Sequence, residues 1–316
     1  MLKPLVLALG MALSATQFAY AAPIDLAYAG QTIQLSSIPK KLAVYDLAAL
    51  DTLNALDIAA QIVPESTFSG TLANYQSNKA VLKAGSLFEP KLDLLKEAQP
   101  DLIIVGGRSA SKVAELKNLA PTLNLSPNTD NYLADLTERT HLIANTFGKQ
   151  SQAEQQLAKI AQLQQQLKTL TAGKSGLMLF AMGENFMPHA SNDRFGFVYD
   201  FSGLQSVLPL TEKSDAPRPE AGSAEAKALA EKNLNLLKTA MAKQPDYLIV
   251  LDRGAINQQA YTAPDNIKKH PVLGNIAGQQ KVIFVDADSW YLTGAGLANT
   301  QKMLEELIQA IGKKAA

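Results

Sequence analysis

The chain has 316 residues, with 29 basic against 29 acidic side chains, 47% apolar residues and 18% charged ones. That is enough apolar material for one large or two mid-sized folded units, and the balanced charge argues against a nucleic-acid-binding surface, which needs a basic excess. The absence of cysteine excludes a disulfide scaffold, a thiolate metal site, a cysteine nucleophile and a cysteine-anchored lipoprotein. The three histidines, His141, His189 and His270, are too few for a histidine-rich metal cage.

The chain opens with the basic start Met1–Lys3, an apolar run Pro4–Phe18 broken by Gly10, and the small-x-small triplet Ala19-Tyr20-Ala21. This pattern is that of a secretory signal peptide, residues 1–21, cleaved after Ala21. A retained anchor is disfavoured because the run falls short of the ~20 apolar residues that span a bilayer. Export without a lipid-anchoring cysteine leads to the periplasm of a Gram-negative cell. Removing the peptide takes away only Lys3, so any strong charge in the mature chain is local.

From Leu42 onward, short apolar runs alternate with helix-length amphipathic stretches. The expected strands are Leu42–Tyr45, Ile62–Val63, Leu102–Val105, Gly176–Met182, Tyr247–Leu251 and Val282–Val285. Val, Ile and Leu between Gly, Pro or Asp boundaries predict an α/β protein whose mostly parallel strands are buried on both faces. An internal repeat divides the chain. Gln99-Pro100-Asp101-Leu102-Ile103-Ile104-Val105-Gly106-Gly107-Arg108 aligns with Gln244-Pro245-Asp246-Tyr247-Leu248-Ile249-Val250-Leu251-Asp252-Arg253. Each copy reads as a helix end, a turn, a buried strand and an arginine past the strand's carboxyl end. The copies lie about half the mature chain apart, so they mark equivalent positions in two Rossmann-like lobes. Between them, Ala153, Leu157, Ile160, Leu163, Leu167 and Leu170 recur at helical spacing. This predicts one long helix, about 30 Å from end to end, that crosses between the lobes as a stiff connector. The expected organisation is therefore 22–147 for the first lobe, 148–172 for the connecting helix and 173–316 for the second lobe, with a ligand cleft between the lobes.

Several chemistries fail on the sequence. No Gly-x-Ser-x-Gly elbow occurs. Gly173-Lys174-Ser175 imitates the end of a phosphate-binding loop, but Lys168 stands where the first glycine belongs, and Gly294-Ala295-Gly296 is followed by Asn299 instead of a third glycine. His141 is expected to pack on a helix, His270 to lie in a surface loop and His189 either to pack or to line the cleft. No nucleophile and base pair suggests an enzyme, and no intrinsic cofactor is expected. What remains is a set of cationic and phenolic loop residues: Arg108 and Arg253 after the repeated strands, Arg194 in Ser191–Gly196, and Tyr291 in Asp288–Leu292 beside the single tryptophan, Trp290. Ligands of open α/β sheets bind outside the carboxyl ends of the strands, which puts Arg108 and Arg253 at the mouth. Guanidinium groups are permanently charged and donate in a planar fork, so the set favours an anion. Trp290 either packs in the core or lines a pocket for an aromatic ligand.

These segments resemble a known family. Gly85-Ser86 through Leu92-Asp93-Leu94-Leu95, Gln99–Ile104, Arg194-Phe195-Gly196-Phe197-Val198-Tyr199-Asp200, Pro245-Asp246-Tyr247 to Asp252-Arg253 and Trp290-Tyr291-Leu292 are similar to class III periplasmic substrate-binding proteins, the iron-siderophore-binding components of ABC importers. The combination of Arg-Phe-Gly, Asp-Arg and Trp-Tyr-Leu resembles the branch that binds ferric catecholate or mixed catecholate siderophores. The resemblance implies that Arg108, Arg194 and Arg253 surround a ferric siderophore and that Tyr291 matches the tyrosine able to coordinate iron. Relatives that accept tetradentate siderophores carry a histidine in a loop whose counterpart here, Thr211–Gly222, has none. A ligand that already fills most of iron's positions is therefore expected, with Arg218 adding a fourth positive contact. Asp93, with Glu89 close by, matches the acidic residue that docks on the inner-membrane permease, and the equivalent place in the second lobe reads Asn235. The expected protein is a monomer that hands its cargo to an ABC permease and ATPase. Haem or cobalamin binding on the same fold is the alternative.

Overall fold

The computed structural model describes residues 23–212, 219–257, 259–274 and 281–313. The expected signal peptide and Arg218 lie outside the described residues. The described chain begins with an antiparallel hairpin, β1 (Ile24–Tyr28) and β2 (Gln31–Leu35), turned by Ala29 and Gly30 at φ 48° and 76°. Its strands alternate exposed and buried residues instead of forming an apolar run, so a search for fully buried strands passes over it.

There follow β3 (Leu42–Val44), α1 (Leu47–Ala55), β4 (Ile62–Val63), β5 (Leu82–Lys83), α2 (Leu92–Ala98), β6 (Leu102–Val105), α3 (Val113–Leu116) and β7 (Thr122–Asn124). Their strands form a parallel sheet in the order β5-β4-β3-β6-β7. Helix α4 (Tyr132–Phe147) stops at Gly148 in the left-handed conformation, and α5 (Gln150–Leu170) is the long connecting helix. The second lobe comprises β8 (Ser175–Met182), β9 (Asn185–His189), α6 (Phe197–Ser202), β10 (Gln205–Ser206), α7 (Ala224–Ala242), β11 (Tyr247–Asp252), α8 (Ala263–Lys269), β12 (Lys281–Phe284) and α9 (Leu297–Gly312). Strands β10-β8-β11-β12 are parallel, and β9 pairs antiparallel with β8. Among the described residues no helix is long and apolar enough to cross a membrane.

The repeat is structural. Gln99 and Gln244 both take left-handed backbone, at φ 48° and 50°, to leave their helices before the proline. The following aspartate then ties down the start of the neighbouring strand: Asp101 accepts from the Lys40 and Lys41 amides, each at 2.8 Å, and Asp246 accepts from the Ser175 amide at 2.8 Å. Strands β6 and β11 thus occupy equivalent places in the two sheets. Along them, alternate residues serve different cores. Leu102 and Ile104 join Ile249 and Leu251 in one cluster that runs through both lobes, whereas Ile103 and Val105 face a first-lobe cluster and Leu248 and Val250 a second-lobe one.

Helix α5 is not the only fastening between lobes. Helix α9 lies against α5 and returns to α1, where its first amides find acceptors: Leu297 N donates to Thr52 Oγ1 at 3.2 Å and Asn299 N to Asp51 Oδ2 at 2.9 Å. Those amides lack partners within their own helix, so the first lobe supplies the cap of the last helix.

Candidate functional site

Three parallel strands deliver the site residues at their carboxyl ends. Strand β6 runs into Gly106-Gly107-Arg108, β11 into Asp252-Arg253, and β12 into Val285-Asp286 and then a π-turn, Asp288–Thr293, that carries Tyr291. Gly106 has to be glycine: a Cβ there would lie 1.9 Å from the Asp46 carboxylate, which is buried beneath the loop and caps α1 by accepting from the Ala49 amide. Arg194 comes from the loop between β9 and α6. That loop is folded by Asp193, which accepts from the Ala190 amide at 2.8 Å and from Thr211 Oγ1 at 2.6 Å, and by Gly196, whose missing Cβ would overlap the Ser191 carbonyl oxygen at 2.2 Å.

These elements bring the expected residues together. The Arg194 guanidinium lies 4.9 Å from the centre of the Tyr291 ring and 5.1 Å from that of Phe195, and Arg108 lies 5.9 Å from the Tyr291 ring. Burial raises the Tyr291 phenol, but the charges of Arg194 and Arg253 and their hydrogen bonds to its hydroxyl outweigh that and hold it below its ordinary range. Arg194 and Arg253 are exposed. Arg108 is not: its guanidinium donates to the main-chain carbonyls of Tyr291, at 2.7 Å, and Leu292, at 3.2 Å, in the opposite lobe. Burial depresses its pKa, while Asp46 and Tyr291 support the charge and Arg194 opposes it.

An aromatic floor escaped the sequence reading. Phe180, near the end of β8, stacks on Tyr291 at 5.8 Å and on Phe195 at 5.3 Å. The available signal was an aromatic in the last turns of an otherwise aliphatic strand. His189 sits behind this floor, edge-on to Phe180 and Phe195, with burial keeping its pKa low. It supports the rings from their edges. Trp290 belongs to the core: it is 2% exposed, stacks on Phe197 at 5.7 Å and donates its indole N–H to Glu306 at 2.8 Å. The pocket-lining alternative for Trp290 is thereby corrected, because the π-turn winds it inward while Tyr291 faces the arginines.

The remaining histidines are accounted for. His141 is half-exposed and pairs with Glu154 at 2.8 Å, and His270 ends α8 with its Nδ1 accepting from the Val272 and Leu273 amides. Asp93 stands exposed in the first turn of α2, whereas Glu89 pairs with Lys112 at 2.8 Å. A cavity of about 900 Å³ lies away from the arginines, between β9, α7 and α8. Arg108, Arg194, Arg253 and Tyr291 do not line it, and its own charges include Glu184 and Glu231 beside Lys269, so it is not read as the anion site.

The sequence model of the family described as periplasmic binding protein matches residues 42–289. The chain belongs to that family. Among its relatives, the petrobactin-binding protein YclQ of Bacillus subtilis (strain 168) is 28% identical over 281 residues, 87% of this chain and 83% of the relative. The ferric-anguibactin-binding protein FatB of Vibrio anguillarum is 25% identical over 289 residues, 89% of this chain and 84% of the relative. The fold agrees with solved structures: YclQ superposes with a TM-score of 0.77 at 24% identity, covering 93% of this chain and 100% of that one. The siderophore-binding protein BauB, bound to two molecules of acinetobactin and ferric iron, gives 0.75 at 22% identity over 92% of this chain and 99% of its own.

Proposed function

We propose that the protein captures an anionic ferric siderophore of catecholate or mixed catecholate type and delivers it, unchanged, to an inner-membrane ABC importer for iron uptake. The observation that carries this is the exposed Arg194 guanidinium 4.9 Å from the Tyr291 ring, with the charge of the exposed Arg253 also acting on that phenol, beside the stacked Phe180 and Phe195 rings. Exposed guanidinium groups offer charge-assisted donors to a polyanion, the aromatic floor receives flat catechol rings, and pairing offsets the cost of desolvating the ligand's charge. A phenol pushed toward its anionic form is also suited to reach a vacant position on ferric iron. The chain works in the periplasm after losing residues 1–21, as a monomer. Asp93, flanked by the exposed Phe88 and Leu92 on the first lobe, meets the permease.

The test is a fluorescence titration of the mature protein, read at its single tryptophan, with ferric tris-catecholate, ferric bis-catecholate, ferric hydroxamate, haem and cobalamin. Ferric catecholates should quench selectively, and Arg253→Glu should weaken them at least a hundredfold, about 2.7 kcal/mol. Selective quenching by haem, or an Arg253→Glu protein that binds ferric catecholates as the parent does, would overturn the proposal.

A further inference from the structure

Tyr291 is presented by a turn that cannot hold its own shape. The π-turn Asp288–Thr293 closes on the bond from the Gly294 amide to the Ser289 carbonyl, at 2.8 Å, and the chain leaves it through Gly294 at φ 61°. A single turn fixes the backbone of several residues for very few hydrogen bonds, so its conformation has to be imposed from outside. The support comes from one polar stripe of α9. Asn299, Lys302 and Glu306 follow one another at spacings of three and four residues, which puts them on one face of that helix. Asn299, itself buried, donates its side-chain amide to the Ser289 carbonyl at 2.9 Å and to the Gly294 carbonyl at 2.7 Å, bracketing the turn. Lys302 Nζ donates to Ser289 Oγ at 2.9 Å and to Asp286 Oδ2 at 2.5 Å, while Asp286 Oδ1 accepts from the Asp288 and Ser289 amides, each at 3.1 Å, where the turn begins. Glu306 Oε1 accepts from the Asp286 amide at 2.7 Å, and its Oε2 takes the Trp290 indole N–H at 2.8 Å. Helix α9 is in turn seated on α1 through Thr52 and Asp51. Desolvating an amide, an ammonium and a carboxylate carries a cost that apolar side chains would avoid, yet all three are aimed at the same short turn.

We infer, on the reading of Tyr291 as part of the anion site, that Asn299, Lys302 and Glu306 are positioning residues for ligand capture. They hold the π-turn in the winding that turns Trp290 into the core and Tyr291 toward Arg194. Their effect on the ligand passes through the Tyr291 side chain. Loosening the stripe leaves the arginines where they are and misplaces the phenol.

A double-mutant cycle separates this role from a merely structural one. The assay is equilibrium dialysis of the mature protein, read by iron content, against whichever of ferric tris-catecholate and ferric bis-catecholate the parent binds more tightly. Tyr291→Ala should weaken binding about tenfold, and Asn299→Ala and Lys302→Met roughly fivefold each. Combined with Tyr291→Ala, either stripe variant should bind no more weakly than Tyr291→Ala alone, because no phenol is left to place. A loss that persists undiminished in the Tyr291→Ala background would come from missing charge or general loosening and overturns the positioning role, as does parent-like binding by both stripe variants; either result leaves the anion site standing. Parent-like binding by Tyr291→Ala overturns the reading of Tyr291 itself, and the positioning role with it. Lys302 is only partly buried, so Lys302→Met decides the matter even where Asn299→Ala fails to fold.

Discussion

Replacing Asp51 by asparagine should stabilise the protein near neutral pH and leave it unchanged in acid. Asp51 lies in α1 with no exposed surface, and burial raises its carboxyl from 3.8 to about 6 against the pull of Thr71, the Asn299 and Ala298 amides and Lys302. The native state therefore holds this proton to higher pH than the unfolded chain does. Between pH 3.8 and about 6 the native state binds more protons, so stability falls as pH rises through that window. A displacement of roughly two units at 1.36 kcal/mol each gives a cost of about 3 kcal/mol above pH 6. Asparagine keeps an oxygen for the Asn299 amide and carries no charge to desolvate. Scanning calorimetry of both proteins from pH 4 to 8 is the assay. The melting temperature of Asp51→Asn should exceed the parent's by ~5 °C at pH 7.5, and the gap should close toward pH 4. A gap that stays constant across the range would refute the reasoning, because it would show that Asp51 does not titrate there.

Two further predictions concern the frame and the importer. Arg139, fully buried, pairs with Asp135 at 2.8 Å and donates to the Ala295 carbonyl at 2.9 Å, so Arg139→Met should cost about 3–5 kcal/mol in urea unfolding by stranding a buried carboxylate. Adding Asp135→Asn should recover part of that, and a loss under ~1 kcal/mol for the single change would contradict the account. On the surface, Asp93→Lys should reduce iron uptake by cells more than Glu89→Lys does, because Glu89 is already paired with Lys112, while ferric catecholate binding stays as in the parent. Equal uptake by all three proteins would remove this face from the docking site.

Much of the frame was legible because its cause is local. The strand cores are continuous Val, Ile and Leu runs, and the Gln-Pro-Asp turn declares itself twice, with its aspartate pinning the adjacent strand each time. Once two strands end in arginine, topology alone places Arg108 and Arg253 at the mouth. What the sequence withholds is the direction in which each side chain is used. Arg108 meets its acceptors 183 and 184 residues away, and nothing near it in the chain distinguishes an arginine awaiting a ligand from one bonded to main chain. Trp290 and Tyr291 are neighbours with opposite fates, separated by the π-turn's winding and by Phe197 and Glu306, which claim the indole. Phe180 went unread because a buried strand favours any large apolar residue, and only the arrival of Tyr291 against it turns packing into a floor.

The cleft charge also has a consequence for how the neutral chain works. Three guanidinium groups near one another repel, which sets Arg194 against Arg108, and each finds a separate use. Arg108 is held by two carbonyls, Arg194 lies over the Tyr291 and Phe195 rings, and the charge of Arg253 favours the ionised phenol. Ring faces and a phenol offer guanidinium groups no full opposite charge; a cation–π contact at an exposed site contributes about 0.5–1 kcal/mol. A polyanion can therefore claim Arg194 and Arg253 without first breaking a strong ion pair. An aspartate in place of Tyr291 would balance the empty cleft better and bind the ligand worse, which makes a tunable phenol between two arginines the arrangement suited to a site that must both fill and empty.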